Sequence, residues 1–205
     1  MRPTLVWGSF CDVPEPSGPT ELLAALAAVL RGWGNRWFVF GAQAVVAYGL
    51  PRMTADVDAT VRLVPDDWLA FCAEMDRAGF ESRTDDLDAF VRATRVLPFV
   101  HRASGIPLDL ILAGSPLEDE FIERARPLDL GGVTVPVISV EDLLVTKILA
   151  GRAKDVDDVR GILRERAGGL DLVRVRTLLG GLERALARAD LVAVLDRALA
   201  EVGPS

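Results

Sequence analysis

Two short apolar runs of the sequence carry aspartates at alternating positions. In residues 55–61, ADVDATV, Asp56 and Asp58 alternate with Val57 and Ala59. Residues two apart on a β-strand point to the same face of the sheet, so both carboxylates share one face while the apolar side chains point into the core. We predict a strand over residues 56–64, buried on one face and acidic on the other, with Thr60 on the acidic face.

A second run, PLDLIL at residues 107–112, repeats this arrangement. Leu108, Leu110 and Leu112 share one face, and Asp109 lies on the other. If the two strands are neighbours, three carboxylates converge. Such a cluster repels itself and is pushed toward protonation unless a divalent cation neutralises it. Hard oxygen ligands of this kind suit Mg²⁺ or Mn²⁺, with phosphates filling the remaining coordination positions.

Each aspartate also has a structural explanation. Asp56 follows a Pro51–Arg52 turn and could be a turn residue, and Asp109 could be a solubilising charge on an edge strand. The preceding FGA segment shifts the balance toward function. It predicts a strand-to-helix turn in which Gly41 lets the backbone approach a phosphate and the helix directs its first N–H groups at that phosphate.

The remaining pattern predicts a mixed α/β (α+β) body followed by a helical C-terminal region, which we divide as residues 1–135 and 136–205. After an irregular lead-in to Gly18, the body is predicted to contain these elements: a helix from Thr20 to Gly32, a strand at Trp37–Phe40, a helix at Ala42–Tyr48, a helix from Pro65 to Gly79, a strand within Phe90–Val100 and a strand over residues 105–114. A capping box at Ser115 and Glu118, with Pro116 at the first helical position, begins another helix.

A hairpin and strand in residues 131–139 contain the junction between the two parts. Ser139 and Asp142 are predicted to cap a helix, and the pattern is helical again from Asp155 onward. Breaks are expected at residues 168–169 and 180–181, each a Gly pair.

Composition narrows the function classes. The chain has 205 residues, a net charge of −7 and an ordinary hydrophobic content, so it reads as globular and has no overall attraction to nucleic acid or anionic lipid. Cys11, Cys72 and the single His101 have no ligand-like spacing, which argues against a disulfide framework or a zinc site. No apolar run approaches the length of a membrane span, and we expect a cytoplasmic protein.

At the aspartates the sequence resembles the nucleotidyltransferases of the DNA polymerase β superfamily. The shared pattern is a hydrophobic residue, Gly, then Gly or Ser, a spacer, and Asp-hydrophobic-Asp, with a third Asp on a later strand. Here it reads Phe40, Gly41, Ala42, thirteen intervening residues, Asp56-Val57-Asp58, and later Asp109. The strings YGLPRMTADVD and SVEDLLVTKILAGRAKDVDDVRGIL are more similar to the AbiEii-type branch, which includes toxins of toxin–antitoxin systems.

The resemblance implies roles for the three aspartates. Asp56 and Asp58 would hold the metal that carries a nucleoside triphosphate. Asp109 would share a second metal and help to activate the acceptor hydroxyl. Gly41 and Ala42 would lie over the phosphates, although Ala42 stands where the family usually has Gly or Ser.

The resemblance also implies that Lys147 binds phosphate, and the residues themselves leave a second interpretation, in which its stem passes an apolar helix face. Arg52 and Thr54 precede the aspartates and could contact phosphates. The acidic segment after Lys154, with Asp155, Asp157 and Asp158, is interpreted as an exposed helix start.

The expected activity is therefore metal-dependent transfer of a nucleoside monophosphate from an NTP to an acceptor. The first expectation for the acceptor is RNA or tRNA, which would make the chain a toxin with an antitoxin protein as its partner. The alternative is a small molecule, as in an antibiotic-modifying enzyme. A third possibility is a non-catalytic scaffold of the same fold. The C-terminal arginines Arg184, Arg188 and Arg197 could bind RNA or an antitoxin, or could form the solvated face of a packed helix pair.

Overall fold

A mixed seven-stranded β-sheet carries both aspartate runs in the computed structural model, which describes residues 18–63, 67–166 and 168–203. Its strands, in chain order, are β1 (Trp37–Phe40), β2 (Val57–Val61), β3 (Phe80–Ser82), β4 (Val96–His101), β5 (Pro107–Leu112), β6 (Arg126–Asp129) and β7 (Thr134–Val137). Their spatial order is β3-β4-β5-β2-β1-β7-β6. β2 therefore lies at the centre of the sheet.

The register of β2 brings the two aspartate runs together. β2 is parallel to β5, with Asp58 opposite Asp109, and antiparallel to β1, with Asp58 opposite Phe40. Residues directly opposite one another on neighbouring strands share a face, so Asp58 and Asp109 lie on the same side of the sheet. On the other side Val57, Ala59 and Leu108 are 0% exposed.

Nine α-helices surround this sheet within the described residues. They are α1 (Gly18–Arg31), α2 (Gly41–Ala47), α3 (Trp68–Arg77), α4 (Leu87–Thr94), α5 (Pro116–Arg124), α6 (Val140–Ala150), α7 (Ala153–Arg166), α8 (Leu172–Leu186) and α9 (Leu191–Val202). The last four follow β7 without another strand and pack on one another. The predicted fold class, a mixed sheet flanked by helices with a helical C-terminal region, is confirmed.

Local sequence signals explain several boundaries. Ser115 accepts a hydrogen bond from the Glu118 backbone N–H, and the Glu118 carboxylate accepts one from the Ser115 backbone N–H, so the predicted capping box of α5 is confirmed. Ser139 accepts from the Asp142 N–H at the start of α6, as predicted. That helix ends at Ala150 and is capped by Gly151, whose positive φ of 65° suits a residue without a Cβ atom.

Other expectations were wrong in detail. Asp56 precedes β2 instead of opening it. The predicted strand within Phe90–Val100 is present as β4, which begins at Val96, after the end of α4. β3 and β6 were not predicted, because both are short and mostly polar. α8 runs through Gly180 and Gly181, where a break was predicted. Glycine in a helix costs about 1 kcal/mol relative to alanine, a penalty that the packing of the helix offsets.

Some predictions fall on residues outside the described ranges. They concern the lead-in with Cys11, the end of the β2 strand at residue 64 and the helix start at residues 65–66. The predicted domain boundary after residue 135 falls inside β7, and the two-part division stays a prediction. None of the helices in the described part of the chain has the length and apolarity needed to cross a membrane.

Candidate active site

An open cavity of about 420 Å³ lies where β1, β2 and β5 meet the start of α2 and the α6–α7 junction. Its volume is in the range of small-molecule sites. Among the described residues, eight charged side chains line it in equal numbers, the acids Asp56, Asp58, Asp109 and Asp155 and the bases Arg52, Lys147, Arg152 and Lys154. Every residue to which the sequence assigned a role in catalysis or binding, namely Gly41, Ala42, Arg52, Thr54, Asp56, Asp58, Asp109 and Lys147, lines this one cavity.

Asp58 is half-buried and has carboxylate neighbours. Burial, followed by the nearby charges of Asp56 and Asp109, raises its pKa from 3.8 to about 6, against the opposing effect of Lys147 and Arg152. The positive charges near this carboxyl group are therefore too few or too distant to offset the destabilisation of its ionised form. Perturbed carboxyl groups of this kind concentrate at functional sites.

Gly41 is required where β1 turns into α2. Its φ is +66°, and a Cβ atom built there would collide with Oδ2 of Asp58 and lie 2.9 Å from Cγ of the same side chain. Any larger residue would displace the Asp58 carboxylate, so the turn and the acidic strand fit together only with glycine. Ala42, the next residue, also lines the cavity and is 8% exposed.

Asp109 has a partner that the sequence did not indicate. Its Oδ1 accepts an ion-paired hydrogen bond from Arg83, which follows β3. The Nε–H of Arg83 donates to the carbonyl oxygen of Phe99 at 2.8 Å, so the guanidinium is fixed to β4. Both side chains are partly exposed, 36% for Arg83 and 40% for Asp109.

Lys147 lies deep in the wall of the cavity and already has two anionic partners. Its Nζ is 3.1 Å from Oδ1 of Asp155 and 2.7 Å from Oδ2 of Asp158. Arg52 also pairs with Asp158, and Arg152 donates to Asp155. This set, which we call the α7 ion-pair network, joins the loop before β2 to α6 and α7. The phosphate-binding role predicted for Lys147 stays a prediction.

The interpretation of Asp155 and Asp158 as an exposed helix start was wrong. Asp155 is 0% exposed and Asp158 8%, whereas Lys154 and Asp157 of the same segment are exposed as predicted. Burial alone would raise the pKa of Asp155, but hydrogen bonds from Arg152 and Lys147 outweigh it and lower the pKa below its ordinary value. A signal was available in the spacing, since residues three apart share one face of a helix.

Thr54 and Arg52 approach the aspartates from the loop before β2. The Thr54 hydroxyl donates to Oδ1 of Asp56 at 2.8 Å and so orients the first carboxylate. Arg52 is engaged by Asp158. Away from the cavity, His101 is buried and its Nδ1 lies 2.9 Å from the Ser104 hydroxyl, a partner that the sequence did not suggest.

The carboxylates provide the donor types that a magnesium ion prefers. Asp56 and Asp58 lie two residues apart on one side of the cavity, and the pKa of Asp58 is raised first by burial and then by the charge of Asp56. Among the described residues, however, no three side chains of His, Cys, Asp or Glu form a group able to hold a metal ion by themselves. Magnesium bound by one or two carboxylates completes its shell with water and substrate phosphates, so a two-carboxylate site is compatible with this arrangement.

Sequence comparison identifies the class of protein. Residues 26–179 match the family described as "Nucleotidyltransferase of unknown function (DUF6036)". Because the match covers most of the chain and contains the whole cavity, the chain belongs to this family of nucleotidyltransferases. This match confirms the predicted resemblance to nucleotidyltransferases. It does not confirm the narrower AbiEii assignment. No protein of curated function matches the chain in sequence.

Solved structures share the fold at low sequence identity. The antibiotic-resistance factor ANT(2″)-Ia in solution gives a TM-score of 0.55 at 15% identity, covering 81% of this chain and 93% of that chain. ANT(2″)-Ia in complex with adenylyl-2″-tobramycin gives 0.53 at 16% identity, covering 87% and 97%. An antigenic nucleotidyltransferase-like protein from Paracoccidioides brasiliensis gives 0.51 at 20% identity, covering 86% and 91%. At these identities the likeness establishes the fold.

Proposed function

We propose that this chain transfers a nucleoside monophosphate from a nucleoside triphosphate to the hydroxyl group of a small acceptor. The observation that carries the proposal is the register of the two central parallel strands. It places Asp58 directly opposite Asp109, beside the Gly41 turn and inside one cavity that also has four cationic side chains.

The charges of the cavity are arranged in a way that suits a triphosphate. The acids Asp56, Asp58 and Asp109 come from the sheet strands and the segment that leads into β2, whereas Lys147, Arg152 and Lys154 come from α6, α7 and their junction. Cationic side chains of this kind bind phosphate oxygens. The triphosphate would therefore extend from the aspartates toward the helices, with Gly41 and Ala42 beside it.

In the proposed reaction the acceptor oxygen attacks the α-phosphorus. The bond from that phosphorus to the bridging oxygen breaks, pyrophosphate leaves with the electron pair, and the acceptor proton passes to a carboxylate. Asp56 and Asp58 would hold a divalent cation, Mg²⁺ or Mn²⁺, and Asp109 would share a second one. Such ions stabilise the attacking and leaving oxygens during in-line displacement.

A small acceptor is favoured over RNA by charge. The chain carries a net charge of −7, which gives it no overall attraction to a polyanion such as RNA. ANT(2″)-Ia, which shares the fold, forms a complex with adenylyl-2″-tobramycin, a small-molecule adduct. The RNA-directed toxin with an antitoxin partner is the second candidate, supported by the AbiEii-like strings around Asp58 and Lys147.

The proposal is tested by incubating the protein with each α-labelled triphosphate, Mg²⁺, and either a panel of small aminoalcohols and aminoglycosides or a tRNA pool. Label transferred to a small acceptor only in the presence of the divalent cation is the expected result. Transfer to tRNA would establish the toxin activity instead. Absence of transfer with every acceptor, together with equal triphosphate affinity with and without Mg²⁺ in calorimetry, would contradict the proposal. The protein would then be a non-catalytic scaffold.

A further inference from the structure

A second cleft meets the candidate active site at Asp109. It has a volume of about 410 Å³ and is lined, besides Asp109, by Arg83, Thr84, Phe90, Thr94, Val96 and Pro98. We call it the α4 cleft. Of the described residues, Asp109 alone lines both this cleft and the cavity of the candidate active site.

The register of the sheet explains how the cleft continues from the active site. Pro98 of β4 lies opposite Asp109, as Asp58 does on the other side, and Val96 shares the face of Pro98 two residues away. The face that carries the aspartates therefore extends across β4 as an apolar floor. Phe90 and Thr94, four residues apart on α4, form a wall above it, and the Phe90 side chain is 37% exposed.

We infer that the α4 cleft is the acceptor subsite, and that it takes a small compound combining a ring or another apolar face with hydroxyl groups. This inference rests on the proposed function. In-line displacement requires the entering oxygen and the leaving pyrophosphate to lie on opposite sides of the α-phosphorus. If the triphosphate extends from the aspartates toward Gly41 and α6, the acceptor enters from the Asp109 side, where this cleft opens.

Arg83 prepares Asp109 for this task. It holds one oxygen, Oδ1, and is itself fixed by its hydrogen bond to the Phe99 carbonyl. The second oxygen of Asp109 is then left for the second cation and the acceptor hydroxyl, whose proton passes to a carboxylate as the acceptor oxygen bonds to phosphorus and pyrophosphate departs. Phe90 contributes a ring face for an apolar surface, and the floor excludes water from one side of the acceptor.

Another neighbouring cavity fits the acceptor role less well. It meets the active-site cavity at Arg52, Met53 and Thr54, and its described lining includes neither Asp58 nor Asp109. An acceptor held there would lie beside the loop that leads into β2 and not beside the carboxylates on the sheet. The α4 cleft is therefore the better match to the chemistry.

The test uses phenyl β-D-glucoside, which joins one aromatic ring to several hydroxyl groups, as a probe in saturation-transfer NMR with the full chain and Mg²⁺-ATP. Thr94→Trp should fill the cleft and weaken probe binding at least tenfold while Mg²⁺-ATP affinity is unchanged. Thr177→Trp is the matched control, because both threonines are exposed and each donates its hydroxyl to the carbonyl four residues earlier at 2.8 Å.

Phe90→Ala provides a second variant that opens the cleft instead of filling it and should also weaken the probe. Equal probe binding in wild type, Thr94→Trp and Phe90→Ala, or no probe binding in wild type, would overturn the inference. Binding of the dinucleotide adenylyl-adenosine in the cleft in place of the glucoside would overturn it in favour of a nucleic-acid end. The proposed function is tested separately, because probe binding reports on the cleft alone. A wild-type protein that does not bind Mg²⁺-ATP would refute the proposed function.

Discussion

The Asp58 carboxyl group links folding to the chemistry of the cavity. Its pKa is raised to about 6 by burial and by its acidic neighbours, so the folded state binds a proton more tightly there than the unfolded chain does. Stability from this group is fully present below its ordinary pKa of 3.8 and is lost as the pH rises through about 6. The loss would be at most on the order of 3 kcal/mol.

Asp58→Asn should therefore stabilise the protein above pH 6. The amide carries no charge to bury, so the difference in melting temperature between variant and wild type should grow from pH 4 to pH 6.5 and then stay constant. Thermal melts across this range without divalent cation measure it. The same variant should lose most of its metal-dependent triphosphate binding, and a variant no more stable than wild type at pH 8 would contradict the raised pKa.

Gly41→Ala tests the contact between the turn and the acidic strand. The added methyl group would meet the Asp58 carboxylate, so we expect a stability loss of about 2 kcal/mol or more together with loss of triphosphate binding. Denaturant titration measures the first effect and calorimetry the second.

Gly49→Ala is the matched control for this turn. Gly49 also has a positive φ, +96°, but no atom of the described residues beyond its immediate surroundings in the chain lies within 4 Å of the place that an added methyl group would take. The variant should lose stability through backbone strain alone and retain triphosphate binding. Equal loss of binding in both variants would show that the Asp58 contact is not what makes Gly41 necessary.

At the scale of elements, the α7 ion-pair network ties the loop before β2 to two helices. Lys147→Met would leave Asp155 and Asp158 buried without their shared ammonium group. Removing one partner of a buried pair typically costs about 3–5 kcal/mol, and here the remaining contacts of Arg52 and Arg152 should keep the loss near the lower end. Urea titration measures this loss.

Lys154→Met is the natural comparison, because Lys154 lines the same cavity but is exposed. Its stability should stay within about 0.5 kcal/mol of wild type. If Lys147 also binds phosphate, its variant should lose triphosphate affinity beyond the loss in Lys154→Met under conditions where both are folded. If Lys147→Met were as stable as wild type, the ion pairs of Lys147 would make no net contribution to the stability of the fold.

The acidic strands were predictable because alternation of apolar and polar residues is a local signal. The same holds for β1 and for the helix caps at Ser115 and Ser139, because each of these signals depends on residues within four positions of one another. The α7 ion-pair network was not predictable from local pattern. The partners of Asp158 are distant in sequence from the helix start: Arg52, over a hundred residues earlier, and Lys147 of α6 both pair with it, whereas helix-start acids normally face solvent.

The Arg83–Asp109 pair was missed for a related reason. Arg83 follows a three-residue strand that the sequence pattern does not reveal, and its partner lies two strands away in the sheet. Polar partners that meet through sheet order are determined by tertiary structure. The sequence therefore predicts which carboxylates lie close together, and only the tertiary structure shows which basic side chains pair with them.

For the whole molecule, the decisive question is whether the cavity performs transfer. Asp109→Ala should retain much of the Mg²⁺-triphosphate binding, because Asp56 and Asp58 remain. Transfer should fall roughly a thousandfold, equivalent to about 4 kcal/mol of transition-state stabilisation. A parallel measurement of binding by calorimetry and of labelled product formation distinguishes the two effects.

Thermal melts are the control for this variant. An unchanged melting temperature with abolished transfer assigns Asp109 to catalysis. A large drop in melting temperature, with binding and transfer lost together, would instead show that Asp109 matters through its ion pair with Arg83.

The α7 ion-pair network also bears on how such a chain can evolve. The acids on the sheet side of the cavity come from the first part of the chain, whereas Lys147, Arg152 and Lys154 belong to the helices that follow the sheet, and Arg52 is held by an acid from those helices. Recombination that exchanged the helical part for that of a distant homologue would separate Arg52 from Asp158 and remove Lys147, Arg152 and Lys154 from the cavity. Sheet and C-terminal helices are therefore expected to be inherited as one unit, with acceptor preference changing by substitutions around α4 and not by exchange of the C-terminal region.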